Sequence, residues 1–265
     1  MLPKPEINFQ RTPVTLIIMA IVVALELVCT FDPERRFYYA SNVKLGMLSL
    51  IWEGELWRPF TSSLLHVSFI HALFNVYWLA IFGRVLEPRF GSLRFLGVIV
   101  LLAYVSTMPE FIIDNYNQPV DQQIGSVGFS GVGYGLFGML WIGRRWRPEL
   151  REVCNDAIVK LFVGWFFFCI VVTYLNVMPV GNIAHGTGCA FGVLYGMAAF
   201  APRHRIRWIV LAAVASGLVL STLIACPGHR GYEEVRQRAK QRRQIERLFQ
   251  SIRQTPPVEQ PLEHP

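Results

Sequence analysis

Seven stretches of this chain are apolar enough, and long enough, to cross the roughly 30 Å hydrocarbon layer of a bilayer. They lie near residues 13–30, 62–82, 93–113, 130–147, 157–177, 182–200 and 207–226. Lipid offers no water to an exposed amide or carbonyl, so continuous apolar runs of this length must satisfy their backbones internally, as helices. The expected fold is therefore all-α, a polytopic membrane helical bundle. The balance of the 265 residues agrees: 53% are hydrophobic and only 16% charged, far from an ordinary soluble domain. The first stretch is too long for a signal peptide and is poorly followed by a small-residue cleavage site, so it reads as a retained anchor. The chain divides into a cytoplasmic N-terminal tail (1–12), a membrane domain (13–226) and a basic C-terminal tail (227–265). That tail is expected to be partly disordered, above all in the Pro-rich stretch Thr255 to Pro265.

The net charge of +7 does not indicate nucleic acid, because in a membrane protein the location of Lys and Arg matters more than their sum. With the N-terminus inside, the inner segments carry thirteen, among them Arg84, Arg89, Arg144, Arg145, Arg147 and Arg203. The outer loops carry four: Arg35, Arg36, Lys44 and Arg58. The positive-inside rule favours that orientation. A seventh span puts the tail outside with its eight Lys and Arg, against the rule, which is weaker for a last segment.

In this orientation spans 2, 4 and 6 enter from the outer face, and Asn75, Ser130 and His185 fall at the outer edge or in the outer half of them. Polar side chains at membrane depth are costly and usually carry function. Three such residues converging on one leaflet form a candidate site. A serine hydroxyl becomes a useful nucleophile when a neighbouring base takes its proton, and imidazole is the usual base. No acidic residue adjoins His185 in the sequence, so a Ser130–His185 dyad is expected in preference to a triad.

Close approach of the two helices is also written in the sequence. Gly188, Gly192 and Gly196 follow His185 at four-residue spacing, as Gly131 and Gly135 follow Ser130; such stripes let helix backbones meet in lipid. Tyr134, one turn after Ser130, can pack against the imidazole. His71 and Asn75 share a face of span 2, and Ser130 opens a helix after Gly125-Ser126-Val127-Gly128. Its amide therefore carries the positive end of the helix dipole. His71, Asn75 and the Ser130 N–H are the expected donors to a developing oxyanion, with His66 in a supporting hydrogen-bond role.

Other motifs carry less. Gly133 to Gly138 matches the dinucleotide-binding pattern GxGxxG but lies inside a span with no strand before it. His66, His71 and His185 lack an acidic co-ligand and metal-site spacing, so no metal is expected. Cys29, Cys154, Cys169, Cys189 and Cys226 form no CxxC pair and read as packing residues. Trp57-Arg58 suits an interface anchor, Glu87 is expected to pair with Arg84 or Arg89, and Glu26 to face water. In the tail, Ile245, Leu248, Phe249 and Ile252 recur at helical spacing among arginines, as in a surface-lying or solvated helix.

Taken together, these residues resemble the rhomboid family of intramembrane serine proteases. The resemblance runs through Trp57-Arg58, then His66, His71 and Asn75, then Gly83, Glu87 and Gly91. It continues through Gly128-Phe129-Ser130-Gly131 with Tyr134, and Ala184-His185 with Gly188 and Gly192. It covers roughly residues 44–200, in the family's order. It implies a rhomboid-like six-helix core plus one C-terminal transmembrane helix, and cleavage of single-pass transmembrane proteins near the outer membrane boundary by Ser130 and His185. No cofactor is implied. A bacterial plasma membrane is the expected location. Phe129 stands where family members often have a smaller residue. Two alternatives differ in class: a catalytically silent rhomboid-like protein that holds membrane clients, which predicts a missing serine or histidine, and a small-solute transporter, which predicts paired intramembrane charges and broken helices.

Overall fold

The computed structural model describes residues 11–32, 34 and 48–254. Most of the N-terminal tail, Arg35, Arg36 and Lys44 of the first outer segment, the side chain of Ile252, and Thr255 to Pro265 lie outside the described residues. Among those described, all regular structure is helical. In chain order it comprises α1 (Pro13–Phe31), a 3-10 turn (Leu48–Glu53), α2 (Arg58–Ser63), α3 (Phe69–Phe90), α4 (Ser92–Asp114) and a second 3-10 turn (Val120–Gln122). There follow α5 (Ser130–Gly143), α6 (Glu149–Val153), α7 (Asp156–Tyr174), α8 (Asn182–Phe200), α9 (Arg205–Ser221) and α10 (Arg230–Gln254).

Five of these, α1, α3, α4, α7 and α8, are long and apolar enough to cross a membrane. The chain is an integral membrane protein. By contrast α9 has 17 residues and α5 only 14, so α5 rises about 21 Å at 1.5 Å per residue. It occupies the centre of the bundle, with every residue from Gly131 to Leu140 buried, and packs against α3, α4 and above all α8. A helix surrounded by protein does not need the full width of the hydrocarbon, because protein covers the loop that leads into it.

Aromatic side chains fill the space around α5. Phe137 stacks on Phe162 of α7 with centroids 4.4 Å apart, and Trp78 of α3 meets the same Phe162 edge-on at 4.8 Å. Offset and edge-to-face contacts of this kind contribute about 0.5–1.5 kcal/mol beyond area burial. The outer rows of α7 and α9 are the reverse: Phe167, Phe168 and Val171, and Ile206, Val210, Val214 and Leu218, are exposed, as a lipid-facing surface requires. The five cysteines are free, and all are buried or half-buried.

Several expectations change. Span 2 begins at Phe69, not 62, because Arg58–Ser63 forms a separate short helix and Ser68 starts α3 by accepting the His71 N–H at 3.3 Å. Span 4 ends at Gly143, where the chain turns through Arg144 to Trp146. Among the described residues no arginine pairs with Glu87. It is fully buried, and its oxygens accept the Val14 N–H (2.8 Å), the Thr15 N–H (2.8 Å), the Thr15 hydroxyl (2.7 Å) and the Ser92 hydroxyl (2.8 Å). It thereby caps the start of α1, a place where anions suit the helix dipole. Arg89 instead meets Glu149 at 2.7 Å. Glu26 is buried, not water-facing. Trp57 and Arg58 part company: Trp57 is half exposed, while Arg58 is buried beside Glu55.

The tail forms a long helix whose first turns dock onto the segment leading toward Ser130. Arg230 donates its N–H to the Tyr116 carbonyl at 3.1 Å, and Glu234 accepts the Val120 N–H at 3.2 Å. Just before it, His229 is buried among Trp52, Phe111 and Tyr116, with ring centroids 4.8, 5.8 and 6.1 Å away. Beyond this anchor Ile245, Leu248 and Phe249 are exposed.

Candidate active site

The loop into α5 descends into the bundle, and its shape follows from one residue. Gly128 has φ +113°, in the region open to glycine and strained for other residues. A Cβ there would also sit 2.8 Å from Cε1 of His71, so the position needs glycine on both counts. The next residue, Phe129, is buried, and its N–H donates to Nε2 of His66 at 3.2 Å. A buried backbone donor at this depth needs such an acceptor. His66 and His71 meet edge to face with centroids 4.9 Å apart.

Ser130 is the first residue of α5, so within the helix its amide has no carbonyl to reach. Its hydroxyl lies 2.8 Å from Nε2 of His185 on α8. That distance depends on glycines. A Cβ at Gly188 would strike the carbonyl oxygen of Gly131, and a Cβ at Gly192 that of Gly135; a Cβ at Gly131 would lie 2.6 Å from the Ser106 hydroxyl. The obstacles at Gly188 and Gly192 are backbone atoms that cannot rotate away, so any side chain there forces the helices apart.

Two contacts set the imidazole's orientation. Its face stacks on Tyr134, with centroids 4.5 Å apart and planes 27° from parallel, and the Tyr134 hydroxyl is tied to the Phe162 carbonyl at 3.0 Å. Nε2 faces Ser130, while Nδ1 is buried without a hydrogen-bond partner. Among the described residues no carboxylate holds the ring as in a triad. For Nε2 to accept the serine proton, Nδ1 must carry the hydrogen, so stacking and helix position, not a hydrogen bond at Nδ1, maintain this geometry.

Asn75 is buried on α3, and its side-chain amide donates to the His71 carbonyl one turn back at 3.1 Å. His71 lies against Gly128, two residues before Ser130. His71 thus borders the serine loop and Asn75 adjoins His71, though neither hydrogen-bonds to Ser130 itself.

A family model for the Rhomboid domain matches residues 53–202, more than half of the chain. The chain belongs to the rhomboid family. It is 28% identical over 197 residues to a protein of Enterobacter sp. (strain 638) named Rhomboid protease GlpG, an alignment covering 70% of this chain and 63% of that protein. It is 27% identical over 190 residues to the Rhomboid protease GlpG of Haemophilus influenzae, covering 71% of this chain and 91% of the relative. The matched rhomboid region holds every residue of the site described above and stops short of α9 and α10.

One group beside this rhomboid site went unread in the sequence. Glu110 of α4 is buried and accepts the Ala184 N–H, next to His185, at 2.6 Å. The available signal was an acidic residue within an otherwise apolar span.

Proposed function

We propose that this rhomboid is an intramembrane serine endopeptidase in which Ser130 and His185 act as a dyad. The observation that carries the reading is the 2.8 Å contact between the Ser130 hydroxyl and Nε2 of His185. The Ser130 Oγ attacks the scissile carbonyl carbon while its proton passes to Nε2. The tetrahedral oxyanion is held by the Ser130 N–H, His71 and Asn75, donors of a kind worth about 2.7–4 kcal/mol each in a soluble serine protease. The C–N bond then breaks and His185 returns the proton to the leaving nitrogen. Water, deprotonated by His185, attacks the acyl ester; the ester C–O bond breaks and the proton returns to Ser130. Every proton is accounted for by these two side chains and water.

The substrate class is a single-pass transmembrane segment cut near the outer boundary. Peptide bonds inside a helix are shielded by its own hydrogen bonds, so segments that unwind easily are preferred. The seven-span arrangement, a six-helix core plus α9, is supported by the length of α9, about 26 Å at 1.5 Å per residue. The docking of α10 onto residues 116–120 supports a tail on the Ser130 side, which is the outer face. Two relatives from bacteria support a bacterial plasma membrane. A protein that only held clients would need neither a serine nor a base, and this chain has the two in contact.

The test is covalent. A fluorophosphonate probe reacts with activated serines, and mass spectrometry of the treated protein in detergent should find the adduct on Ser130. Replacement of His185 by Ala should abolish it. Labelling of another serine, or equal labelling without His185, would refute the dyad.

A further inference from the structure

Accounting for the amides at the start of α8 leads to a residue outside the dyad. A helix leaves its first N–H groups without intrahelical partners, and Gly181, which precedes α8, provides no side chain to cap them. The Asn182 N–H goes to the Val180 carbonyl at 2.8 Å, and the His185 N–H to the Gly181 carbonyl at 3.0 Å. Between them, the Ala184 N–H donates to the carboxyl of Glu110 at 2.6 Å. The cap is thus supplied by another helix, 74 residues away in sequence.

The fit around that carboxyl is close. A Cβ at Gly181 would lie 3.1 Å from Oε1 of Glu110, so glycine leaves the space the carboxyl occupies. On the other side, the Ala184 methyl would be 3.4 Å from a Cβ at Gly131, the residue after the nucleophile. Glu110 therefore holds the one turn of α8 that sits between its own carboxyl and the serine helix. His185 is the last residue of that turn, and the stack on Tyr134 leaves its ring without a hydrogen-bonded orienting partner at Nδ1.

We infer that Glu110 is a positioning residue for catalysis: through the Ala184 amide it fixes the height and rotation of His185 relative to Ser130. The role resembles that of the acid in a triad but acts on backbone, one step removed from the imidazole. The inference rests on the Ser130–His185 reading. It predicts a loss in kcat with little change in KM, since Glu110 contacts the backbone beside His185 and acts only through the base.

The test is cleavage of a transmembrane substrate by full-length protein in liposomes, comparing Glu110→Gln, Glu110→Asp and Glu110→Ala with wild type and Ser130→Ala. Gln keeps an acceptor oxygen at the same reach, and its kcat should stay within about threefold of wild type. Asp is one methylene too short and Ala has no acceptor, so each should lose roughly 10–100-fold in kcat, the usual cost of losing a group that orients a catalytic residue. Should Glu110→Ala fail to fold, the Gln and Asp variants carry the comparison. Wild-type kcat in folded Glu110→Asp or Glu110→Ala, a loss confined to KM, or equal loss in Gln and Asp would each overturn the inference. Ser130→Ala separates the two claims, because activity surviving in it would remove the dyad itself.

Discussion

Tyr134 and His185 stack with their ring centroids 4.5 Å apart, and this contact takes the place that a carboxylate holds in a triad. The orienting force is apolar and planar. Tyr134→Phe keeps the ring and loses only the hydrogen bond to the Phe162 carbonyl, so cleavage should remain within about threefold of wild type. Tyr134→Ala frees the imidazole and should cost roughly 10–100-fold in kcat. Steady-state kinetics on both variants decides this, and equal loss in the two would transfer the importance to the hydroxyl.

Gly192 faces the Gly135 carbonyl so closely that Gly192→Ala must separate α8 from α5. We expect a destabilisation of about 1–3 kcal/mol, the usual cost of overpacking, together with a large loss of cleavage. Gly164 on α7 is a matched control, since a Cβ there meets nothing within 4 Å. Gly164→Ala should leave activity intact and stability equal or slightly higher, because alanine is favoured over glycine within a helix. Unfolding in mixed detergent measures both.

Glu87 caps α1 from the end of α3, and its replacement leaves buried donors without acceptors. Glu87→Ala orphans the Val14 and Thr15 amides, each costing about 1–3 kcal/mol when buried and unpaired. Glu87→Gln keeps one acceptor oxygen and should lose less. The expected order of unfolding midpoints is wild type, then Gln, then Ala; an unchanged midpoint in Ala would show that α1 does not depend on this cap.

Docking of α10 should weaken in acid. Burial holds the His229 imidazole below its ordinary value of 6.5, so the undocked tail binds a proton first as pH falls. The stabilisation is complete above about pH 6.5, the value of a free histidine, and is lost as pH drops through the lower value of the docked form. Glu234, held low chiefly by the Val120 N–H, acts in the same direction at more acid pH. A spin label at exposed Gln237 should report increasing mobility between pH 7.5 and pH 5, and His229→Phe should remove that first step. A pH-independent signal in wild type would contradict the account.

The all-helical membrane fold could be read from the chain because long apolar runs leave no other choice, and Ser130 and His185, which lie 2.8 Å apart, stood out because intramembrane polarity is costly and therefore conspicuous. The glycine spacing after Ser130 and His185 was equally visible, since close helix approach has few other solutions. Glu87 misled: flanked by Arg84 and Arg89 it looks like half of an ion pair, while the Val14 and Thr15 groups it caps lie more than 70 residues earlier. Glu110 hid for the same reason, as a cap donated between helices leaves no local pattern. The early start assigned to span 2 came from Leu64, Leu65 and Val67, which continue the hydropathy signal across the turn between α2 and α3. The tail's docking depends on His229, Trp52 and Tyr116, three distant residues that nothing in their spacing connects.

The most direct measurement is cleavage of a single-pass membrane substrate in liposomes by wild type, Ser130→Ala and His185→Ala, with a chelator control. The account predicts product from wild type with or without chelator and none from either variant. Product from Ser130→Ala at the wild-type rate would contradict it.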